Sequence, residues 1–288
     1  MNEKLRHALY EGENIGQQYT LLVPHTIPRS MVGMRLGWRT GTSIDFQDYR
    51  EYQPGDDIRF VDWNVYARSD RLTVKLYMEE VTPHLDVLID GSRSMNLGNT
   101  TKAAATLKLA AILAVAAENA YCSHAVWISD NGFRKVINDF LLPTAWDGFE
   151  FNSPHSIDDA LEVMPPTLRP LSIRVLISDL LWPATPIHTV QRLQSGGAAL
   201  FILQLLARND IDPPIYGSVR LVDSETDEIA DLLVDETTIK QYRRNLTQWQ
   251  QSWAEACRQY GAQLTTLVAE ELESSIVNLQ KIQLVIPV

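Results

Sequence analysis

From His84 onward the sequence alternates short apolar runs with stretches of helical period, and that alternation restricts the chain to one class of fold. His84–Asp90, Arg174–Asp179 and Ala199–Leu206 are dominated by apolar residues, and such runs suit strands covered on both faces. Lys102–Glu118 is rich in Ala and Leu and fits a helix beneath a sheet. Ala125–Ser129 reads as another strand. Asp130-Asn131-Gly132 follows it, and Asn and Gly tolerate the positive φ of a hairpin turn, so Phe133–Asn138 returns antiparallel as an edge strand. Ser156–Val163 reads as a short helix, and Ile187–Gln194 as a helix closed by Gly196-Gly197. Ile239, Tyr242, Leu246, Trp249, Trp253, Ala256 and Tyr260 recur at three- and four-residue spacing, the mark of an amphipathic helix whose aromatic stripe packs into a core. Gln263–Val268 gives a last strand and Glu271–Gln280 a last helix. The expectation is an α/β fold: a doubly wound, mostly parallel sheet with one antiparallel edge strand and right-handed crossovers. Ser218–Val222 and Ile229–Val234 flank a polar turn and read as a hairpin insertion near residues 218–234.

Residues 1–83 behave differently. Leu5–Tyr10 fits a short helix and Leu72–Tyr77 a strand, with turns between them. No low-complexity linker separates this turn- and strand-rich extension from residues 84–288, so it is expected to pack on that domain. Its densest segment is Asp48–Trp63, where Pro54-Gly55 suits the centre of a type II turn. Arginines alternate there with acids, and the reading is a structural clamp of Arg50, Asp56, Asp57, Asp62 and Arg68, paired and partly buried. Acids interleaved with arginines have lowered pKa values, which suits pairing better than proton transfer.

Composition narrows the function. The chain carries 25 Lys and Arg against 36 Asp and Glu, a net charge of −11. Nonspecific nucleic-acid binding needs basic surface and is disfavoured. A metal or a basic protein partner is easier to accommodate. Cys122 and Cys257 lie far apart in apolar contexts and read as buried free thiols. The start of the chain shows no apolar signal region, and the most apolar stretch, Leu107–Ala117, is too short to span a bilayer. The expectation is a cytoplasmic protein.

The chemistry concentrates where the first apolar strand ends. Val87-Leu88-Ile89 runs into Asp90-Gly91-Ser92-Arg93-Ser94, which places one carboxylate and two hydroxyls on a tight loop. In open α/β sheets that end of a strand is where ligands bind. Hard oxygen donors suit Mg²⁺ or Mn²⁺. The loop lacks the second glycine of a nucleophile elbow, and the chain has neither a phosphate-binding Gly-x-x-x-x-Gly-Lys-Ser/Thr nor a Gly-x-Gly-x-x-Gly.

Phe46–Trp63, Ala67-Arg68, Leu72–Lys75, Glu79-Glu80 and Leu88–Met95 together resemble one bacterial family, catalogued as domain of unknown function 58. The resemblance continues through Ile177–Leu180 and Val219–Thr226. It implies an α/β part similar to a von Willebrand factor type A domain, carrying a metal-ion-dependent adhesion site. It also implies a MoxR-type AAA+ ATPase as partner. On that resemblance Asp90, Ser92 and Ser94 match the first metal loop, and Asp179 matches the acid after the fourth strand. Where the family commonly has a threonine, this chain has His155, flanked by Ser153 and Ser156. Imidazole is a poor Mg²⁺ ligand and a better one for Zn²⁺ or Mn²⁺. Either a serine substitutes, or the site is altered or metal-free.

The leading reading is a non-enzymatic adaptor that makes metal-dependent contact with a protein partner, a MoxR-type ATPase and its client. A metal-dependent hydrolase using Asp90 and Asp179 is the alternative from another class. A scaffold with a vestigial metal site is the third.

Overall fold

The computed structural model describes residues 2–24, 44–56, 58–79, 83–97, 101–136 and 141–288. Contacts divide the chain into two compact units, Met1–Pro24 with Pro83–Val288, and His25–Thr82. Helix α1 (Glu3–Gly16) opens the first unit, with Asn2 accepting a 2.6 Å hydrogen bond from the Lys4 amide at its N-terminus. Strand β1 (Tyr19–Leu21) follows. The second unit contains β2 (Ile44–Glu51), α2 (Trp63–Ser69) and β3 (Thr73–Glu79). β2 and β3 form an antiparallel ribbon with an irregularity between Phe46 and Asp48. Val61 bridges to Val74, and both are buried.

The first unit resumes with β4 (His84–Ile89), α3 (Lys102–Asn119), β5 (Ser123–Ser129), β6 (Phe133–Lys135) and α4 (Ile157–Val163). It continues through β7 (Ile173–Ser178), α5 (Pro186–Leu193), β8 (Ala199–Leu206), α6 (Arg208–Ile211), β9 (Gly217–Val222) and β10 (Ile229–Val234). It ends with α7 (Glu236–Tyr260), β11 (Gln263–Val268), α8 (Leu272–Lys281) and β12 (Val285–Pro287). Six strands form one sheet in the order β11-β8-β7-β4-β5-β6. All neighbours are parallel except β6, which runs antiparallel to β5. The chain steps outward from β4 to β5 and β6, then returns past β4 to begin the other half at β7. The strand order therefore reverses between β4 and β7, the position where open α/β sheets leave a crevice at their carboxyl ends.

Successive strand residues point to opposite faces, and both faces of this sheet are covered. Leu88, Leu176, Leu200 and Ile202 join Ile157, Leu161, Val190, Leu193 and Trp253 in one core beneath α4, α5 and α7. Their alternates Val87, Ile89, Val175, Ile177 and Leu203 are equally buried, and α3 contacts β4, β5 and β8. α3 also packs against α1. A Cβ on Gly12 would lie 2.4 Å from the Lys108 carbonyl oxygen, and one on Gly16 2.8 Å from the Val115 Cβ. These two glycines, one turn apart, let α1 lie directly on α3.

The expected boundary at 83/84 is thus only half of the division. Residues 2–24 belong with the α/β unit, because α1 packs on α3 and β1 pairs antiparallel with β12. The helix read as Leu5–Tyr10 runs on to Gly16. Cys122 and Cys257 are free and buried, and burial pushes their thiols up to about 11 and about 12. No helix of the described residues is long and apolar enough to cross a membrane.

Candidate functional site

β4 and β7 end side by side, and the chain turns into the crevice from both. The Asp90 amide donates to the Ile177 carbonyl at 3.0 Å, so Asp90 still follows the ladder. One of its carboxylate oxygens accepts from the Ser92 amide at 3.0 Å and the other from the Ser178 hydroxyl at 2.6 Å. The next residue has to be small: a Cβ on Gly91 would lie 2.2 Å from the Ser129 carbonyl oxygen. The Gly91 amide donates to the Ser129 hydroxyl at 2.9 Å, which ties the loop to the end of β5. Ser92 then opens a 3₁₀ turn, Arg93–Asn96, which brings the Ser92 and Ser94 hydroxyl oxygens within 2.9 Å of each other.

Asp179 follows β7. One carboxylate oxygen accepts from the Leu181 amide at 3.1 Å, and the other accepts from the Lys102 ammonium at 2.8 Å. Lys102 opens α3, is fully buried, and pairs also with Asp210 on α6 at 3.0 Å. Burial alone would lower its pKa, but the two carboxylates outweigh it and hold the ammonium above its ordinary range. Asp90 is shifted upward too, but in a carboxyl an upward shift disfavours the charged form. Burial pushes its carboxyl up to about 6, and the charge of Asp179 adds to this against the bonds from Ser178 and Ser92.

A third acid stands nearby. Glu225 lies at the turn between β9 and β10 and is half-buried. Burial, then the charges of Asp90 and Asp179, push its carboxyl up to about 7. Arg93, between the two serines, donates to the Ser224 carbonyl at 3.4 Å and pairs with Asp227 at 3.5 Å.

The loop containing His155 lies against the same turn. Ser92 bridges to Ser153, and the Arg93 amide donates to the Ser153 carbonyl at 2.9 Å. The Ser153 hydroxyl donates to the Asp130 carbonyl at 3.1 Å and accepts from the His155 amide at 3.1 Å. Ser156 is engaged elsewhere: it caps α4 in a reciprocal box with Asp159. The His155 ring is half-buried and makes no hydrogen bond among the described residues. Asp90, Ser92 and Ser94 form an all-oxygen donor set of the kind a hard divalent ion takes. Asp179 is neighbour to that set but already carries the Lys102 charge. Among the described residues no three His, Cys, Asp or Glu side chains converge closely enough to hold a metal ion between them.

Four residues of the site escaped the sequence reading: Lys102, Ser178, Asp210 and Glu225. Lys102 carried a signal, as a lone cation at the head of an apolar helix. Asp210 carried none, because its relevance comes only from α6 turning back after β8.

The profile described as "Protein of unknown function DUF58" matches residues 48–252. The chain belongs to the DUF58 family. Uncharacterized proteins of Mycobacterium bovis and Mycobacterium tuberculosis are each 24% identical to it over 263 residues, covering 86% of this chain and 81% of the relative. Among solved structures, conserved hypothetical protein BatB from Bacteroides thetaiotaomicron aligns with a TM-score of 0.32 and 9% identity, over 69% of this chain and 98% of its own. Proximal thread matrix protein 1 from the mussel byssus aligns with a TM-score of 0.39 and 13% identity, over 70% and 48%. Likenesses that slight add nothing to the fold described above.

In this DUF58 protein the charged segment of the second unit is pinned in two places. Arg50 grips Asp56 with two hydrogen bonds, at 2.8 and 2.6 Å, and these bonds lower the Asp56 carboxyl below its ordinary range. Asp62 is buried and caps α2, accepting from the Asn64 and Val65 amides, while the Tyr49 hydroxyl donates to its second oxygen at 3.2 Å. Arg68 departs from the expectation: it is exposed on α2 and forms no ion pair among the described residues. A seven-residue helix capped by Asp62 turns that side chain outward. Asp57 lies outside the described residues.

Proposed function

We propose that this DUF58 protein is a non-enzymatic adaptor. Its α/β unit would act as a von Willebrand A-like domain, docking on a protein partner through the Asp90–Ser92–Ser94 loop. The observation that carries this reading is the placement of three oxygen donors at the point where the strand order reverses. One carboxylate and two hydroxyls leave a bound Mg²⁺ or Mn²⁺ electrophilic, so a carboxylate of the partner completes its shell. The resemblance supplies the partner class, a MoxR-type AAA+ ATPase and its client.

The test is calorimetric titration with Mg²⁺ and Mn²⁺, followed by a pull-down with the ATPase in the presence and absence of chelator. Asp90→Ala should abolish metal binding, and chelator should release the ATPase. Partner binding that ignores both would remove the metal from the mechanism. One observation favours a second reading, a metal-free scaffold: Lys102 already supplies Asp179 with a cation at 2.8 Å. Under that reading the ATPase binds equally well with chelator present.

A further inference from the structure

We propose that Ser123 is an activated nucleophile, which takes an acyl group from an activated ester with His84 as its base. The group stands at the opposite end of β4 from the Asp90 loop: an extended strand covers about 20 Å from His84 to Asp90. The step needs no turnover and is independent of the adaptor reading.

The register of the sheet assembles the group. His84 and Asp86 stand two residues apart on one face of β4, and Ser123 is the β5 residue paired with His84. The His84 Nδ1 lies 2.8 Å from the Ser123 Oγ, and the Nε2 lies 3.3 Å from an Asp86 carboxylate oxygen. One tautomer serves both contacts: Nε2–H donates to Asp86, and Nδ1 offers its lone pair to the hydroxyl. His84 is 7% exposed and Asp86 1%, whereas Ser123 is part-exposed. The relay therefore starts in the core and ends on a hydroxyl at the surface. Nucleophile, base and acid in this order recur on unrelated folds and are recognised by their geometry.

The Trp127 indole donates to the same Asp86 oxygen at 3.1 Å and fixes the carboxylate, whose other oxygen has no hydrogen-bond partner among the described residues. Arg174 is the β7 residue paired with Asp86, but its Nε, Nη1 and Nη2 bond the Ser172 hydroxyl and the Leu193 and Arg169 carbonyls. His84 is thus the titratable group that meets the Asp86 carboxylate directly. Apolar side chains packed in place of such a buried pair are often as stabilising, so its value here is chemical. The other acceptor beside the hydroxyl, the Pro83 carbonyl, is more distant at 3.4 Å. Arg169 completes the group, with its Nη1 3.5 Å from the Ser123 Oγ. In the step, Oγ adds to the ester carbonyl while its proton passes to Nδ1. Arg169 puts positive charge beside the oxygen that turns negative. The C–O bond to the leaving alcohol then breaks, the proton goes to that alcohol's oxygen, and the acyl group stays on Ser123.

The experiment treats the full chain with a small alkyl fluorophosphonate and maps the label by peptide mass spectrometry. Ser123 Oγ attacks phosphorus, fluoride leaves, and the hydroxyl proton passes to His84. Label is expected on Ser123 of the folded chain and not of the same chain in urea. His84→Gln, shown to be folded by circular dichroism, should label at least about 100-fold more slowly. With p-nitrophenyl acetate, the wild type should release a burst of nitrophenolate that Ser123→Ala lacks. An unlabelled Ser123, equal labelling in urea, or a folded His84→Gln that labels at the wild-type rate overturns the proposal. Label on Ser123 without the nitrophenolate burst overturns acyl transfer. If His84→Gln does not fold, the comparison of folded and urea-treated wild type decides.

Discussion

Lys102→Met is the substitution on which the electrostatic account of the site can fail. The ammonium and the Asp179 side chain are each 2% exposed, and they meet at 2.8 Å, with Asp210 at 3.0 Å on the other side. Met has nearly the length and volume of Lys, so the change leaves little cavity and removes mainly charge. It strands a buried carboxylate whose remaining partner is the Leu181 amide. Removing one member of such a pair costs about 3–5 kcal/mol, or roughly 6–20 °C in Tm for a unit of this size. Urea unfolding followed by tryptophan fluorescence reads it directly, since Trp182 and Trp253 pack edge to face at 5.6 Å in the core below the site. The pH dependence sharpens the test. The folded pKa of Lys102 is raised above 10.5, so its contribution is fully present below that value and lost only as pH climbs through the folded one. The gap between wild type and variant should therefore be flat from about pH 6 to pH 9. The double variant Lys102→Met/Asp179→Asn should recover part of the loss, because it removes the stranded charge. A gap below about 1 kcal/mol, or one that closes between pH 7 and pH 9, would refute the reasoning.

Two further outcomes follow from the geometry. Asp90 has a folded pKa of about 6, above its ordinary 3.8, so its contribution is present below the ordinary value and lost as pH rises through about 6. Between pH 4 and pH 7 this weakens the wild type by on the order of 3 kcal/mol. Asp90→Asn, neutral throughout, should lack that slope when urea midpoints are compared across pH. In the second unit, Asp62→Ala should cost about 1 kcal/mol through loss of the α2 cap. Arg68→Ala should stay within about 0.5 kcal/mol, and equal losses for the two would restore Arg68 to the clamp.

The sequence revealed most where one physical period dominates. β11 falls at Gln263–Val268, as read, because its turns and apolar content leave no competing register. The strand before Asp90 was equally plain, since only a buried parallel strand explains six apolar-dominated residues ending in an acid. β2 and α2 were hidden because their segment is ordered by specific side-chain bonds, such as Asp62 to the α2 amides, rather than by periodicity. β12 was hidden for another reason: three residues make a strand only because β1 is there to receive them. The site divides in the same way. Asp90, Ser92 and Ser94 share one loop and are visible as a motif. Lys102 and Asp210 come from separate elements, and only the fold places a cation between them and Asp179.

The β1–β12 pairing also sets an order of assembly. Leu21 and Val285, which face each other in that ribbon, are separated by 264 positions of chain. At about 5–20 residues per second of synthesis, β1 waits roughly 13–53 s for its partner strand. Loop closure over such a span adds only about 0.6 kcal/mol per doubling of length, so the delay is a matter of time more than of energy. α1 need not wait. Its docking surface, α3, is complete at Asn119, and the Gly12 and Gly16 contacts can form while the second half of the sheet is still being made. The N-terminal helix thus guards the apolar back of α3 during synthesis, and the β1–β12 ribbon locks it in place last.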